Sequence, residues 1–438
     1  MCILVSLPIY TKLFVRIKRI KMEKFVINGG KKLSGEIEVM GAKNDSLVIL
    51  ASALLMSKPV YIDRVPEIED IKRMSELLIK LGANVEYSGY GKYKVTAAKI
   101  TGTAIYPEIA KRLRASIVLT APLLARMGKV DFPHPGGCVI GERPIDVFLD
   151  GYKALGADVK YRDKIYTVSA KKLHGTKFIF SNVSVTGTEA MIMAASLARG
   201  ITTLKNCACE PEVESLAEFL NSCGANISGA GTPKIIIQGV KNLRGGKHST
   251  IPDRIEAGSF VIMAAATGSS INIKKCNPDH MDSLLSILQK SGAKIKTGKD
   301  NVEIISSRSK AVSIKTKEYP GFPTDLQAPF CVLLTQSEGQ ALVYETIYEG
   351  RLSWTDELKR MGANVLTLDP HRIEIKGPTK LRGRDIESPD IRAGMAYIIG
   401  ALCANGESII NNVYQIDRGY EKIEERLQKI GADIKRIQ

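Results

Sequence analysis

The chain has 438 residues, 44% of them hydrophobic and 25% charged, with a formal net charge of +16; that length exceeds one ordinary core, so two domains are expected. The lysines and arginines are scattered, with no aromatic-rich basic stripe, which argues against a nucleic-acid binder. The eight cysteines form no paired framework and the five histidines show no ligand spacing, which argues against a disulfide scaffold or a metal centre and for a reducing, cytoplasmic setting.

Residues 1–21 carry five cations (Lys12, Arg16, Lys18, Arg19, Lys21) and no acid. The apolar run Met1–Tyr10 is broken by Pro8 and precedes its charges, the reverse of a secretory signal. It is also far short of the roughly 20 apolar residues that a bilayer span needs, so no stable membrane insertion is expected. The stretch reads as an extension ahead of a second possible start at Met22.

From there one pattern recurs. An amphipathic segment runs into Gly-Ala and then into a short β-branched run, at Gly82, Gly156, Gly224, Gly292, Gly362 and Gly431, spaced 74, 68, 68, 70 and 69 residues apart. A long period of this kind means one supersecondary unit used repeatedly. In the first copy Ile71, Met74, Leu77, Leu78 and Leu81 share a helical face; in the third, Val213, Leu216, Phe219, Leu220 and Cys223 do so. The glycine suits a left-handed cap, and a strand such as 84–87 follows.

Each unit holds a second helix of another kind. The segments 114–128, 187–200, 256–269 and 392–406 are apolar and Ala-rich on nearly every face, which predicts burial. The unit is therefore βαβαβ-like, and six units divide into three per domain.

Polar residues open the buried helices: Lys43 and Asn44, Arg114, Ser184 and Val185, Asp253 and Arg254, Thr324 and Asp325, Asp390 and Arg392. Taken singly these are ordinary capping residues. If equivalent helices point the same way, their N-termini gather into an anion site, and Lys43, Arg114, Arg254 and Arg392 suit a ligand with phosphate or carboxylate groups. Between the second unit's helices lies Phe132-Pro-His-Pro-Gly-Gly-Cys138-Val-Ile-Gly-Glu-Arg143-Pro144, whose glycines and prolines predict a loop. A cysteine there, five residues from an arginine, is placed to react, since nearby cations lower a thiol pKa from about 8.5. Cys331 and Cys403 fall in buried-helix patterns and read as inert.

The motifs GAKN (41–44), LRAS (113–116), PGGC followed by an Arg-Pro-Ile-Asp run (135–146), DRIEAG (253–258), FPTDLQA (322–328) and IDRGYEKIEERL (416–427) resemble the UDP-N-acetylglucosamine enolpyruvyl transferase family from about Lys24 to the C-terminus. The resemblance implies a two-domain inside-out α/β barrel, with one domain at 43–251 and the other at 22–42 plus 252–438. It implies transfer of enolpyruvate from phosphoenolpyruvate to the 3′-hydroxyl of UDP-N-acetylglucosamine for peptidoglycan synthesis, without cofactor or metal. Carried over by motif, Cys138 is the proton donor that forms a covalent adduct and is alkylated by fosfomycin, and Asp325 is the carboxylate at the sugar hydroxyl. Lys43, Arg143 and Arg418 are phosphoenolpyruvate ligands, with Arg114, Arg351 and Arg392 in the same cationic cluster. Asn44, Ser184, Val185 and Ile347 are acceptor contacts.

Four positions depart from the family pattern: Phe148 and Gln415 stand where histidines are usual, Asn182 where a lysine is, and Asp45 where a small residue is. Two other readings remain at this point. A fold relative working on a different nucleotide or a shikimate-type acceptor is one, against which the PGGC loop argues. A non-catalytic, basic nucleic-acid-binding repeat protein is the other.

Overall fold

The computed structural model describes residues 23–136, 144–305, 307 and 309–438. The third unit displays the plan. A short strand (Lys177–Ile179) leads into the helix Val185–Ser196, the strand Ile201–Lys205, the helix Pro211–Ser222, and a hairpin of Asn226–Ser228 and Lys234–Gln238. The hairpin pairs antiparallel onto Ile201–Lys205, and Lys177–Ile179 closes the other edge in parallel. The unit is thus βαβαββ, one strand longer than the sequence pattern indicates.

Among the described residues this sheet recurs six times, five times with four strands and once with three. In the three-stranded case the missing edge is a single parallel bridge, Ala104 to Asp131. Three sheets borrow a strand from far along the chain. Lys247–Ser249, after the third unit, closes the first unit's sheet beside Val60–Asp63. Ser34–Glu38 closes the fourth beside Ser270–Lys274, and Lys24–Asn28 sits between Glu407–Asn411 and Asp433–Ile437 of the sixth.

The helices sort as their patterns require. Ile71, Met74, Leu77, Leu78 and Leu81 are all 0% exposed, and the matching face of the third unit is equally buried. Each such side chain contributes about 1.5–3 kcal/mol by leaving water. All six Gly-Ala glycines have positive φ, between 90° and 104°. The helices Arg254–Ala266, Gln327–Gln336 and Ile391–Cys403 are buried along nearly their whole length and pack against one another, with the sheets outside them. In the other half Lys43–Ser52 touches the short 3-10 helix Arg114–Leu119, which touches Val185–Ser196. The outer sheets alternate buried and exposed residues, as in Lys234–Gln238, the pattern of a sheet with one wet face.

Two hydrophobic cores result. One gathers residues from Leu47 to Leu243; the other gathers Phe25 to Val39 with Ile255 to Ile434. The fold is a two-domain inside-out α/β barrel with three units about each core. The chain passes between the cores twice, and the two passes are paired. Gly41 bridges Pro252, the Ala42 amide donates to the Ile251 carbonyl at 2.7 Å, and the Asp253 amide donates to the Met40 carbonyl at 3.0 Å. No helix among the described residues is long and apolar enough to cross a membrane.

Candidate active site

Between the two cores lies a cavity of about 850 Å³. The starts of all six buried helices reach it: Lys43 and Asn44, Arg114, Ser184 and Val185, Arg254, Thr324 and Asp325, and Asp390 with Arg392. Caps fix several of these starts. Ser184 Oγ accepts from the Gly187 amide at 3.1 Å, Asp253 from the amides of Ile255 and Glu256, and Asp390 from those of Arg392 and Ala393. Asp253 also accepts from the Lys43 amide at 3.1 Å, tying the first helix of one core to the first of the other.

Of the site residues expected from sequence, Lys43, Asn44, Arg114, Ser184, Val185, Asp325, Ile347, Arg351, Arg392 and Arg418 all line this one cavity. Cys138 and Arg143 lie outside the described residues; Gly136 and Pro144, on either side, line the cavity.

Asp325 is held from two sides. Its Oδ1 accepts from Arg351 Nη2 at 2.7 Å, and its Oδ2 from Arg392 Nη2 and Nε at 2.7 and 2.9 Å. The Asp325 side chain is 31% exposed, against 4% and 8% for the two arginines, so the carboxylate faces the cavity and the guanidinium groups stand behind it. Burial pushes the Asp325 carboxyl up, but Arg392 and Arg351 outweigh it and hold it well below the usual carboxylate range. Arg351 also donates to Thr324 Oγ1 at 2.9 Å, and Thr324 donates to Glu345. The buried Glu345 carboxylate accepts further from the amides of Ile347 and Tyr348, and so fixes the segment that brings Ile347 to the cavity wall.

A second cluster bridges the cores. Asp70, on the helix Glu69–Lys80, accepts from Arg418 Nε at 2.9 Å and lies 3.5 Å from Lys43 Nζ. Burial lowers the Lys43 ammonium pKa; Asp70 opposes this, and the charges of Arg392 and Arg418 add to it. An anion binding here would relieve that strain on the charged form. Arg418 is further oriented by Gln415 Oε1 at 3.1 Å, so the glutamine at this departure position serves the arginine directly. Planar guanidinium groups and an ammonium so arranged match the phosphate and carboxylate of a small dianionic substrate.

Arg254, like Arg392, has its charge answered within the protein. It contacts both oxygens of Glu212, at 3.2 and 3.3 Å, and stacks near the Tyr319 ring, and so joins the cores. The other departures also find places. Phe148 is 4% exposed and lines the cavity, as does the exposed Asn182. Asp45 is fully buried, accepting from His248 Nε2 at 2.9 Å and from the Ile251 amide at 3.1 Å, both on the second crossing between the cores. Cys331 is fully buried, and burial raises its thiol; burial pushes Cys403 up to about 12. Among the described residues no group of three or more His, Cys, Asp or Glu side chains is placed to hold a metal.

Sequence reasoning did not single out Asp70, Glu345, Tyr420 or the carboxylates Glu189, Glu210 and Glu212. Asp70 reads as an ordinary acidic residue in a first helical turn. Tyr420, whose hydroxyl meets Arg392 Nη1 at 3.4 Å, lies inside the 416–427 motif and could have been flagged from it.

Known proteins share the sequence and the fold of this chain. Residues 27–427 match the family model of EPSP synthase (3-phosphoshikimate 1-carboxyvinyltransferase). A UDP-N-acetylglucosamine 1-carboxyvinyltransferase of Koribacter versatilis is 44% identical over 421 residues, covering 95% of this chain and 97% of that one. The protein of the same name from Coxiella burnetii is 43% identical over 419 residues, covering 95% and 96%. The crystal structure of the enolpyruvyl transferase NikO from Streptomyces tendae superposes with a TM-score of 0.85 over 95% of this chain and 99% of that one, at 22% identity, a likeness of fold. Shared sequence over nearly the whole length, on the same fold, places the chain in the UDP-N-acetylglucosamine 1-carboxyvinyltransferase family of enolpyruvyl transferases.

Proposed function

We propose that this protein transfers the enolpyruvyl group of phosphoenolpyruvate to the 3′-hydroxyl of UDP-N-acetylglucosamine and releases phosphate, the step that commits the sugar nucleotide to peptidoglycan. The observation that carries this reading is the meeting of six helix starts at one cavity, cationic at Lys43, Arg114 and Arg418, with the Asp325 carboxylate held by two arginines and presented into it.

In this reading Lys43 and Arg418, joined by Arg143 from the loop, hold the phosphate and carboxylate of phosphoenolpyruvate. Asn44, Ser184, Val185 and Ile347 seat the sugar nucleotide. Addition joins the sugar oxygen to C2 of phosphoenolpyruvate while a proton is delivered to C3. Elimination then removes a proton from C3 as phosphate leaves, restoring the double bond. Cys138 supplies the proton in the first step. Asp325 accepts a hydrogen bond from the hydroxyl, but a carboxylate held so far below its ordinary pKa is a weak base. It therefore takes the proton late, once bond formation has made the hydroxyl acidic. The two domains of the reaction cycle are taken as 43–251 and 22–42 with 252–438.

The test is direct. The purified protein, given both substrates, should release one phosphate per new sugar nucleotide bearing a 3′-linked enolpyruvyl ether, identified by mass and by NMR. Phosphate release without that product would overturn the reading.

A further inference from the structure

The wall of the cavity is not cationic throughout. Glu189, Glu210 and Glu212 line it as well, and Glu189 is the unusual member. It lies one turn inside the helix Val185–Ser196, whose first residue is an expected acceptor contact. It is 2% exposed, and its Oε1 is buried without a hydrogen-bond partner. Glu210, 6% exposed, leaves its Oε2 in the same condition. A buried carboxyl oxygen with no partner is costly, and native proteins rarely leave one without a use.

The surroundings restrict what that use can be. Burial raises the Glu189 carboxyl well above its ordinary range, and Glu212, Glu210 and Asp45 push it the same way. Both influences favour the neutral form, and a neutral carboxyl can both donate and accept. Arg254, the cation beside them, is already paired with Glu212, so this wall does not suit the phosphate and carboxylate of the smaller substrate, and no metal-holding group forms here among the described residues. A sugar hydroxyl, neutral and itself both donor and acceptor, is the complementary partner.

We infer that Glu189, with Glu210 beside it on this wall, is a specificity residue for the acceptor and hydrogen-bonds a ring hydroxyl of the bound sugar nucleotide. The inference rests on the function proposed above and adds the group that reads the sugar. A site built to pair a hydroxyl rejects the analogue lacking it far more strongly than an apolar wall does, because its own polar group is left unpaired.

The experiment measures steady-state kinetics of the full chain and its Glu189→Leu, Glu189→Gln and Glu189→Asp variants. Both substrates are varied, and the acceptor series lacks one ring hydroxyl at a time. Wild-type turnover on UDP-N-acetylglucosamine comes first, and its absence would defeat the function reading separately from this one. Glu189→Leu should raise the acceptor KM about tenfold or more while the phosphoenolpyruvate KM stays within about threefold. Glu189→Gln, whose amide can still donate and accept, should raise the acceptor KM less than Glu189→Leu does. One deoxy analogue should be discriminated against by wild type and not by Glu189→Leu, the sign of a direct pair. An unchanged acceptor KM in folded Glu189→Leu overturns the inference, as does an equal rise in both KM values. If Glu189→Leu does not fold, Glu189→Asp decides: a raised acceptor KM supports the contact, and an unchanged one removes it.

Discussion

At Asp325 one carboxylate answers two buried arginines, and that sharing makes it sensitive in two ways. Asp325→Asn should lower turnover by about 10²–10⁴. It should also lower the melting temperature, because Arg351 and Arg392 lose their common counter-ion. Near-normal turnover in the folded variant would remove Asp325 from the chemistry. Glu189 makes the opposite case. Its pKa is raised in the folded state, so the native protein holds a proton that the unfolded chain has released above its ordinary carboxyl range. The contribution is fully present below that range and is lost as pH rises. Glu189→Gln should therefore melt higher than wild type at pH 8, by roughly 2–4 °C per kcal/mol relieved, with the gap closing towards pH 4.5. A gap that widens on acidification would show that Glu189 is ionised in the native state. The cationic members of the site were legible because they open apolar helices and sit in recognisable motifs. Their partners were not. Asp70 and Glu189 look like any helical acid until another chain segment, Arg418 in one case and the start of the helix Pro211–Ser222 with Glu210 and Glu212 in the other, is folded against them.

At the scale of the element, the Gly-Ala caps carry the repeat. Gly431 has a φ of +96° with nothing within 4 Å of an added Cβ, whereas at Gly82, with a φ of +99°, the added atom would lie 2.9 Å from the Thr101 amide nitrogen and 3.0 Å from the Lys99 carbonyl oxygen. Gly431→Ala should cost about 1–3 kcal/mol for backbone strain alone. Gly82→Ala should cost more, since backbone must also shift. Equilibrium urea unfolding of the two variants is the check, and a milder loss at Gly82 would contradict it. Helices and hairpins were readable because period and capping are local signals. Sheet closure was not: Lys247–Ser249 and Ser34–Glu38 are short strands whose partners lie 236 residues away in the fourth unit's case and at the opposite end of the domain in the first's. Nothing in three to five residues specifies such a pairing; the partially filled sheet edge does.

Across the whole molecule, the two cores are joined by paired crossings, by ion pairs at the cavity and by a hydrogen bond away from it. Arg254 meets Glu212 and Arg418 meets Asp70 at the cavity, and elsewhere the Glu67 amide donates to Glu421 at 2.7 Å. Arg254 and Glu212 are both largely buried, and breaking such a pair by removing one partner costs about 3–5 kcal/mol. Glu212→Gln should therefore enlarge the radius of gyration of the free protein in small-angle scattering, and saturating UDP-N-acetylglucosamine should contract it. Identical scattering from variant and wild type, with and without the sugar nucleotide, would exclude closure held by this contact.

Closure of this kind would serve one end, the meeting of phosphoenolpyruvate with its acceptor in a cavity from which water is expelled. The measurement that bears on this most directly is phosphate release from phosphoenolpyruvate with UDP-N-acetylglucosamine, with shikimate 3-phosphate, and with no acceptor. The sugar nucleotide should support turnover with a kcat/KM on the order of 10³-fold or more above that for shikimate 3-phosphate, and phosphate release without acceptor should be negligible. Release that is equal or faster with shikimate 3-phosphate, or absent with both, would contradict the account.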